Sequence, residues 1–204
     1  MTDADFIETL DELHALYGVP GVASTAKVAS RLSPGYREWI ERARFCILST
    51  VGPEGTDASP RGDDGPVVAI LDDRRLALPD WHGNNRIDSL RNIVRDPRMS
   101  LMFLVPGSNT VIRVNGTGRV TADAALLAGF DRSGRQPRSV TVIEISEIYF
   151  QCARAPLRAG LWSGQDQSDG LPTPGDLLSE MSEGQVGGPD YDAEWPGRAA
   201  KTMW

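Results

Sequence analysis

Short runs of apolar residues alternate with polar positions through the middle of the chain, a pattern typical of half-buried β-strands. Turn-forming sequences separate these runs, among them GPEG at 52–55, PGSN at 106–109 and NG at 115–116. Regularly spaced short strands joined by tight turns favour an antiparallel barrel over a parallel α/β sheet. The predicted strands span residues 45–50, 56–61, 67–71, 75–79, 99–105, 110–115, 117–121 and 140–150.

Helical periodicity precedes these strands and also interrupts them. Residues 3–17 carry apolar side chains at helical spacing, and Gly18 and Pro20 end that helix. The pattern as a whole predicts a mainly β fold of the α+β type, with helices at the periphery of an antiparallel barrel. The other predicted helices span residues 35–43, 86–94, 123–130 and 153–161.

The character of the chain changes twice, and the changes predict three segments. Residues 1–43 form an N-terminal helical segment that packs on the barrel, and residues 44–162 form the barrel itself. Residues 163–204 hold many Gly, Pro, Ser and acidic residues with little apolar periodicity. We therefore predict an extended tail after Trp162.

The composition indicates a globular protein and argues against two classes of binding partner. A length of 204 residues allows one compact domain, and apolar residues make up 40%, enough for a core. A net charge of −7 argues against binding to nucleic acid or to an anionic membrane surface. The acidic N-terminus lacks an apolar signal core, and no window approaches the ~18 apolar residues of a membrane span. We expect a soluble, cytoplasmic protein.

The cysteines and the common catalytic motifs point to no metal or hydrolytic centre. Cys46 and Cys152 each lie in an apolar run, outside any CxxC or Cys/His cluster. We predict two buried, reduced thiols and no metal site. The sequence also contains no Ser/His/Asp set, HExxH or Walker pattern.

Residues 75–94 combine a strand end, a loop and a helix start. The loop DWHGNN follows the strand, and the predicted helix begins at Arg86, with Asn84 or Asn85 as its N-cap. A helix start offers unpaired N–H groups and the positive end of a dipole, which suit a phosphate. Arg86 is unfavourable beside that dipole unless an anion lies between them. The alternative is a capped surface helix with a solvated arginine.

The sequence SPRGD at 59–63 ends the second predicted strand. An arginine on a strand near the mouth of a barrel can hold a phosphate through two hydrogen bonds, and Arg61 is placed for this role. The alternative is a strand-end turn closed by a salt bridge between Arg61 and Asp63.

Three stretches in this order resemble the flavin split-barrel superfamily of pyridoxamine 5′-phosphate oxidase: FCILSTVGPEGTDASPRGD, LPDWHGNNRIDSLRNIVRDPRMSLMFLVPG and IRVNGTGRV. The similarity is to a branch of FMN-binding proteins with SPRGD and GNxRxDSLRN patterns, and it covers about residues 5–180. The C-terminal piece CARAPLRAGLW also looks like that branch. The resemblance implies an FMN-binding split barrel and a homodimer with FMN at the subunit interface.

The resemblance also assigns roles to individual residues. Arg61 is implied to be the strand-borne phosphate ligand, and Asp80 to lie near the isoalloxazine or ribityl group. Two of three positions that match the family's Ser-Arg-Lys cluster are Asn here, so neutralisation of the phosphate rests on Arg61 and Arg86. Trp162 either closes the pocket from the second chain or is a core or interface residue without a flavin contact. The implied cofactor-binding residues are Arg61, Gly62, Asp63, Asp80, Asn84, Asn85, Arg86 and Trp162.

The chain departs from the family oxidase where the substrate binds. Pyridoxamine 5′-phosphate oxidases end in an Arg-x-His element that holds the substrate, and the tail PDYDAEWPGRAAKTMW has no such motif. Arg135 and Arg138 either replace that anion site or remain solvated loop charges. The related branch often has His where this chain has Gln151, which leaves His82, in the predicted flavin loop, as the candidate general acid.

These features predict an FMN-dependent oxidoreductase with a small-molecule redox substrate that does not oxidise pyridoxamine phosphate. The lack of a catalytic motif agrees with this reading, because a flavin performs the redox chemistry itself. Two alternatives stay open. The protein either binds a deazaflavin in the same groove and acts as a reductase, or is a flavin-binding stress or sensor protein without turnover.

Overall fold

The structure is a computed structural model that describes residues 6–202. Its strands pair antiparallel in one rolled sheet with the order β2-β1-β5-β6-β7-β4-β3. The predicted mainly β fold, an antiparallel split barrel with peripheral helices, is confirmed. The strands are β1 Phe45–Gly52, β2 Gly55–Gly62, β3 Ala69–Ile70, β4 Arg75–Asp80, β5 Arg98–Leu104, β6 Val111–Thr121 and β7 Ser139–Gln151.

The core follows from the alternation of apolar and polar residues along the strands. In β1, for example, Cys46, Leu48 and Thr50 face inwards while the residues between them are partly exposed. The large side chains Phe103 and Ile143, from β5 and β7, fill the centre and are almost completely buried. This core forms the rigid base on which the loops at the barrel mouth are built.

One predicted turn is wrong. The Asn115-Gly116 pair was expected to separate two strands, but β6 continues through it with a register shift against β7. A Cβ atom at Gly116 would overlap the carbonyl oxygen of Glu144. The glycine therefore permits a β-bulge in a continuous strand, where the sequence pattern suggested a hairpin turn.

The helices at the N-terminal end differ in how they pack. The helix predicted at 35–43 is present, and its Ile40 is fully buried in the core. The helix predicted at 3–17 forms only from Leu10, where Thr9 and Glu12 build a capping box, and residues 3–5 lie outside the described part. This helix buries no residue, and Leu10 is 70% exposed, whereas α3 of the same predicted segment packs into the core, so packing of the whole segment on the barrel stays a prediction. The first helices are α1 Leu10–Tyr17, α2 Val22–Ala26 and α3 Pro34–Arg42.

The C-terminal residues are helical where an extended tail was predicted. Thr173 and Asp176 form a capping box, and proline occupies the first position of two of these helices, so local signals outweigh the high glycine content. The described tail thus corrects the prediction, while the proposed segment boundaries stay a prediction. The remaining helices are α4 Asp88–Arg95, α5 Ala124–Ala128, α6 Arg154–Arg158, α7 Pro174–Met181, α8 Pro189–Ala193 and α9 Trp195–Thr202.

The two thiols lie in different environments. Cys46 is buried, as predicted, and burial raises the pKa of its thiol to about 12. Cys152 is exposed, so the prediction of a buried thiol is wrong there. It follows the last residue of β7, and a hydrogen bond from the backbone N–H of Arg154 lowers the pKa of its thiol. Within residues 6–202, none of the helices combines the length and apolarity that crossing a membrane requires.

Candidate functional site

A cleft of about 700 Å³ opens at one end of the barrel, within the size range of small-ligand and cofactor sites. Its lining comes from the end of β2, the end of β4 with the following loop, Leu90 of α4, and Arg138 and Ser139 at the start of β7. Val67 and Leu78, both almost fully buried, contribute apolar surface. Eight residues singled out from the sequence line this one cleft: Arg61, Gly62, Asp63, Asp80, His82, Asn84, Asn85 and Arg86.

The two strand ends meet through an ion pair across the cleft. Nη1 of Arg61 in β2 lies 2.5 Å from Oδ1 of Asp80 in β4, and both side chains are about four-fifths buried (22% and 19% exposed). The Nε of Arg61 is also buried, and it has no hydrogen-bond partner among the described residues. The alternative expected from the sequence, a salt bridge between Arg61 and Asp63, is therefore wrong. A buried donor without a partner suits an acceptor on a ligand.

The loop after β4 turns sharply before α4 begins. The side chain of Asn84 accepts a hydrogen bond from the Arg86 backbone N–H at 3.0 Å, and Asn85 has a φ of +61°. The N-cap of α4 is Ile87, so the predicted cap at Asn84 or Asn85 is wrong. The asparagines form a turn that leads into the helix instead of capping it.

Arg86 precedes α4 and points largely into solvent. Its Nε lies 2.6 Å from Oδ2 of Asp88, and its side chain is 79% exposed. The hydrogen bond and the charge of Asp88 raise the pKa of Arg86 above its ordinary value. Both arginines that were expected to hold a phosphate thus already contact a carboxylate.

Buried polar contacts fix α4 against the β1–β2 hairpin. Ser89 donates a hydrogen bond to Asp57 in β2, and Asn92 donates one to Oγ1 of Thr50 in β1 at 3.2 Å. A Cβ at Gly52 would overlap the side-chain oxygen of Asn92, so the close approach requires glycine. Ile93, 3% exposed, adds α4 to the core.

The loop at 131–138 borders the cleft, which it lines with Arg138, and sequence reasoning gave this loop little weight. Arg132 lies 2.5 Å from Asp63 and 2.6 Å from Asp64, and its guanidinium is 5.1 Å from the centre of the Trp81 ring. Arg138 donates from Nη1 to Oδ1 of Asn85 at 2.5 Å. The loop therefore contacts both the segment that follows β2 and the segment that follows β4. The signal in the sequence was its run of arginines, which pattern alone does not distinguish from solvated charges.

The other sequence candidates lie as follows. His82 is exposed and lines the cleft, where it stays a candidate general acid. Trp162 does not line it: its Nε1 donates to the Ser108 carbonyl oxygen at 2.8 Å, beside the β5–β6 turn. A contact of Trp162 with a cofactor from a second chain stays a prediction. Within the described part of the chain, no group of three or more His, Cys, Asp or Glu residues is arranged to hold a metal ion.

A family model described as pyridoxamine 5′-phosphate oxidase matches residues 32–152, more than half of the chain. A search of curated proteins finds no match. Among solved structures, HupZ of Group A Streptococcus is 14% identical, with a TM-score of 0.48 over 58% of this chain and 93% of that one. An FMN-binding protein from Syntrophomonas wolfei is 15% identical, with a TM-score of 0.44 over 57% of this chain and 88% of that one. General stress protein 26 from Bacillus anthracis is 19% identical, with a TM-score of 0.39 over 56% of this chain and 88% of that one. Similarity this distant says nothing about ligands or activity.

Proposed function

The chain belongs to the pyridoxamine 5′-phosphate oxidase family, and from this premise we propose that its cleft binds FMN and that it is an FMN-dependent oxidoreductase. The observation that carries the proposal is the Nε of Arg61, a buried cationic donor without a partner among residues 6–202. Arg61 lines the same cleft as the Asn84–Arg86 turn. Because unsatisfied buried donors are costly, a ligand acceptor there is favoured.

The residues of the cleft fit the parts of FMN differently. Arg61 and Arg86 carry the charge for the phosphate, and the amides of Asn84 and Asn85 can add neutral hydrogen bonds. Asp80 is an acceptor beside Arg61 and repels a phosphate, so it suits ribityl hydroxyls or a ring N–H. Val67 and Leu78 offer apolar surface to a ring system. Bound FMN would supply electron transfer, while the chain binds and orients it.

A second copy of the chain belongs to the same proposal. Asn84, Asn85 and Arg86 are exposed, so one chain alone leaves that side of the cleft open to water. A homodimer with FMN at the interface, as the family resemblance implies, covers this side. Trp162 of one chain is then available to the cleft of the other.

The proposed substrate is a small redox-active molecule other than pyridoxamine phosphate. Oxidation of pyridoxamine phosphate requires a second anion site besides the one for FMN, and the chain has no Arg-x-His element to build it. A buried phosphate without such an anchor costs several kcal/mol, roughly in the range of an unpaired buried charge. We therefore expect electrons to reach the flavin from a nicotinamide or another donor.

The test is a fluorescence titration of FMN against the wild type, Arg86→Ala and Arg61→Lys. Loss of a charge-assisted hydrogen bond costs about 1.5–3 kcal/mol, so each variant should bind FMN about ten- to hundredfold more weakly. Lysine at position 61 keeps the charge but lacks the Nε donor. The matched control is Arg98→Ala, because Arg98 pairs with Asp96 on the surface and does not line the cleft.

The same preparation tests the other parts of the proposal. Light scattering should give twice the chain mass of 22.2 kDa, as expected for a homodimer. FMN-loaded protein mixed with pyridoxine phosphate in air should form negligible aldehyde. The visible absorption band separates FMN from a deazaflavin, which absorbs at shorter wavelength. Unchanged FMN affinity in both cleft variants contradicts the phosphate assignment. A flavin-loaded monomer contradicts the homodimer. Turnover of pyridoxine phosphate contradicts the proposed substrate and supports the activity of a pyridoxamine 5′-phosphate oxidase instead.

A further inference from the structure

The charges around the cleft are largely compensated within the chain. Arg61 pairs with Asp80, Arg86 with Asp88, and Arg132 with Asp63 and Asp64. A phosphate that approaches any of these arginines also approaches a carboxylate of like charge. The repulsion reduces what each of them adds to anion binding.

Arg138 differs from these three arginines. Within residues 6–202 no carboxylate lies within salt-bridge distance of it, and its side chain contacts the neutral amide oxygen of Asn85. Exchange of that neutral acceptor for an anion adds the attraction between opposite charges to the hydrogen bond. The cleft therefore holds a guanidinium whose charge is available.

The backbone at Arg138 is held in place by a hydrogen bond to β4. Its N–H donates to the carbonyl oxygen of Asp80 at 2.9 Å, which extends the β4–β7 ladder by one bond, and Pro137 before it is buried. The neighbouring Ser139 is already part of β7 and lines the cleft. The side chain thus starts from a rigid edge and reaches the turn after β4, so little ordering is needed to present it to a ligand.

We propose that Arg138 and Asn85 together bind the phosphate of the cofactor, as a third guanidinium beside Arg61 and Arg86. The inference rests on the proposed function. The phosphate is favoured over a substrate anion because Arg138 contacts the same turn, 84–86, that this function assigns to the phosphate. When Arg138 turns to the anion, the Asn85 amide is released and can donate its own N–H groups to the same oxygens.

The experiment compares FMN with riboflavin, which has the same ring system and no phosphate, on the wild type, Arg138→Gln and Arg138→Lys. Arg138→Gln should weaken FMN about tenfold to hundredfold and leave riboflavin within about twofold. Arg138→Lys should fall between the wild type and Arg138→Gln, because lysine keeps the charge without the planar fork. The matched control is Arg135→Gln in the same loop, since Arg135 does not line the cleft and both flavins should bind it unchanged.

A second measurement needs no bound flavin ring. Inorganic phosphate should raise the melting temperature of the wild type more than that of Arg138→Gln, because a ligand that binds the native state stabilises it by mass action and the variant keeps only Arg61 and Arg86. Equal shifts in both proteins overturn the inference.

The outcomes also separate this inference from the function on which it rests. Unchanged FMN affinity in Arg138→Gln overturns the role of Arg138 and leaves the FMN site intact. Equal losses for FMN and riboflavin assign Arg138 to the shape of the loop instead of to the phosphate. A wild type that binds neither flavin overturns the proposed function and this inference with it.

Discussion

The two walls of the cleft are built on different principles. Helix α4 is fixed by buried contacts, namely Ile93 in the core and the bond from Asn92 to Thr50. The loop at 131–138 is fixed by arginine side chains, through the pairs of Arg132 and the bond from Arg138 to Asn85. Buried packing cannot be exchanged without cost, whereas surface hydrogen bonds can change partner. Helix α4 is therefore a fixed support, whereas the arginine side chains of the loop can change partner when a ligand arrives.

The largest expected effect is on the fixed wall. Ile93→Ala should lower the free energy of unfolding by about 2–5 kcal/mol, because it leaves a cavity in the core. Val94→Ala is the matched control. The Val94 side chain, next to Ile93 in the sequence, is 75% exposed, so its truncation should lower the free energy of unfolding by less than about 0.5 kcal/mol. Urea unfolding measures both. Equal losses would mean that the outer face of α4 is covered in solution, and the contrast between the walls would fail.

A smaller effect is expected from the ion pair that ties the loop to Asp63. The Asp63 side chain is only 2% exposed, so Arg132→Gln leaves a buried carboxylate without its charged partner. We expect a loss of about 1–3 kcal/mol in the free energy of unfolding. Asp64→Asn removes the exposed half of the same cluster, 73% exposed, and should leave the free energy of unfolding close to that of the wild type. If Arg132→Gln unfolds like the wild type, the ion pair of Arg132 does not anchor the loop, and its arginine side chains are all free to rearrange.

The smallest expected effect on stability comes from salt. Raising the NaCl concentration to about 1 M shortens the screening length to about 3 Å, which weakens exposed charge pairs and leaves buried contacts almost unchanged. The free energy of unfolding should change by less than about 1 kcal/mol. FMN affinity should fall clearly, because the proposed phosphate site includes the exposed side chains of Arg86 and Arg138. Parallel salt dependence of unfolding and of FMN affinity would contradict the division between the walls.

The sequence predicted the sheet better than it predicted the contacts between helices and sheet. Every predicted strand region carries a strand, because period-two alternation reflects which face is buried. Helical periodicity likewise predicted helix α1, but it did not predict that the helix is exposed. An amphipathic face does not determine which surface packs against it. The Asn115-Gly116 pair failed for another reason. The same dipeptide suits a turn or a bulge, and only the partner strand decides between them.

The candidate site was predictable where motifs lie next to each other in sequence. Arg61 and the Asn84–Arg86 turn were identified from strand ends and from the helix start that follows. The partners of their charges were not, because Asp80 and Asn85 meet Arg61 and Arg138 only through the rolled sheet. Arginine runs in loops look alike in sequence, and only the fold separates a cleft arginine from a solvated one.

The ion pair between Arg61 and Asp80 joins two strands that share no backbone hydrogen bonds. In the strand order, β2 reaches β4 only through the pairings β2-β1, β1-β5, β5-β6, β6-β7 and β7-β4. Along the chain, however, the two residues are only 19 positions apart, so closing this contact costs little loop entropy. The ion pair therefore links two parts of the sheet that the backbone ladder leaves unconnected, and it does so in the lining of the cleft.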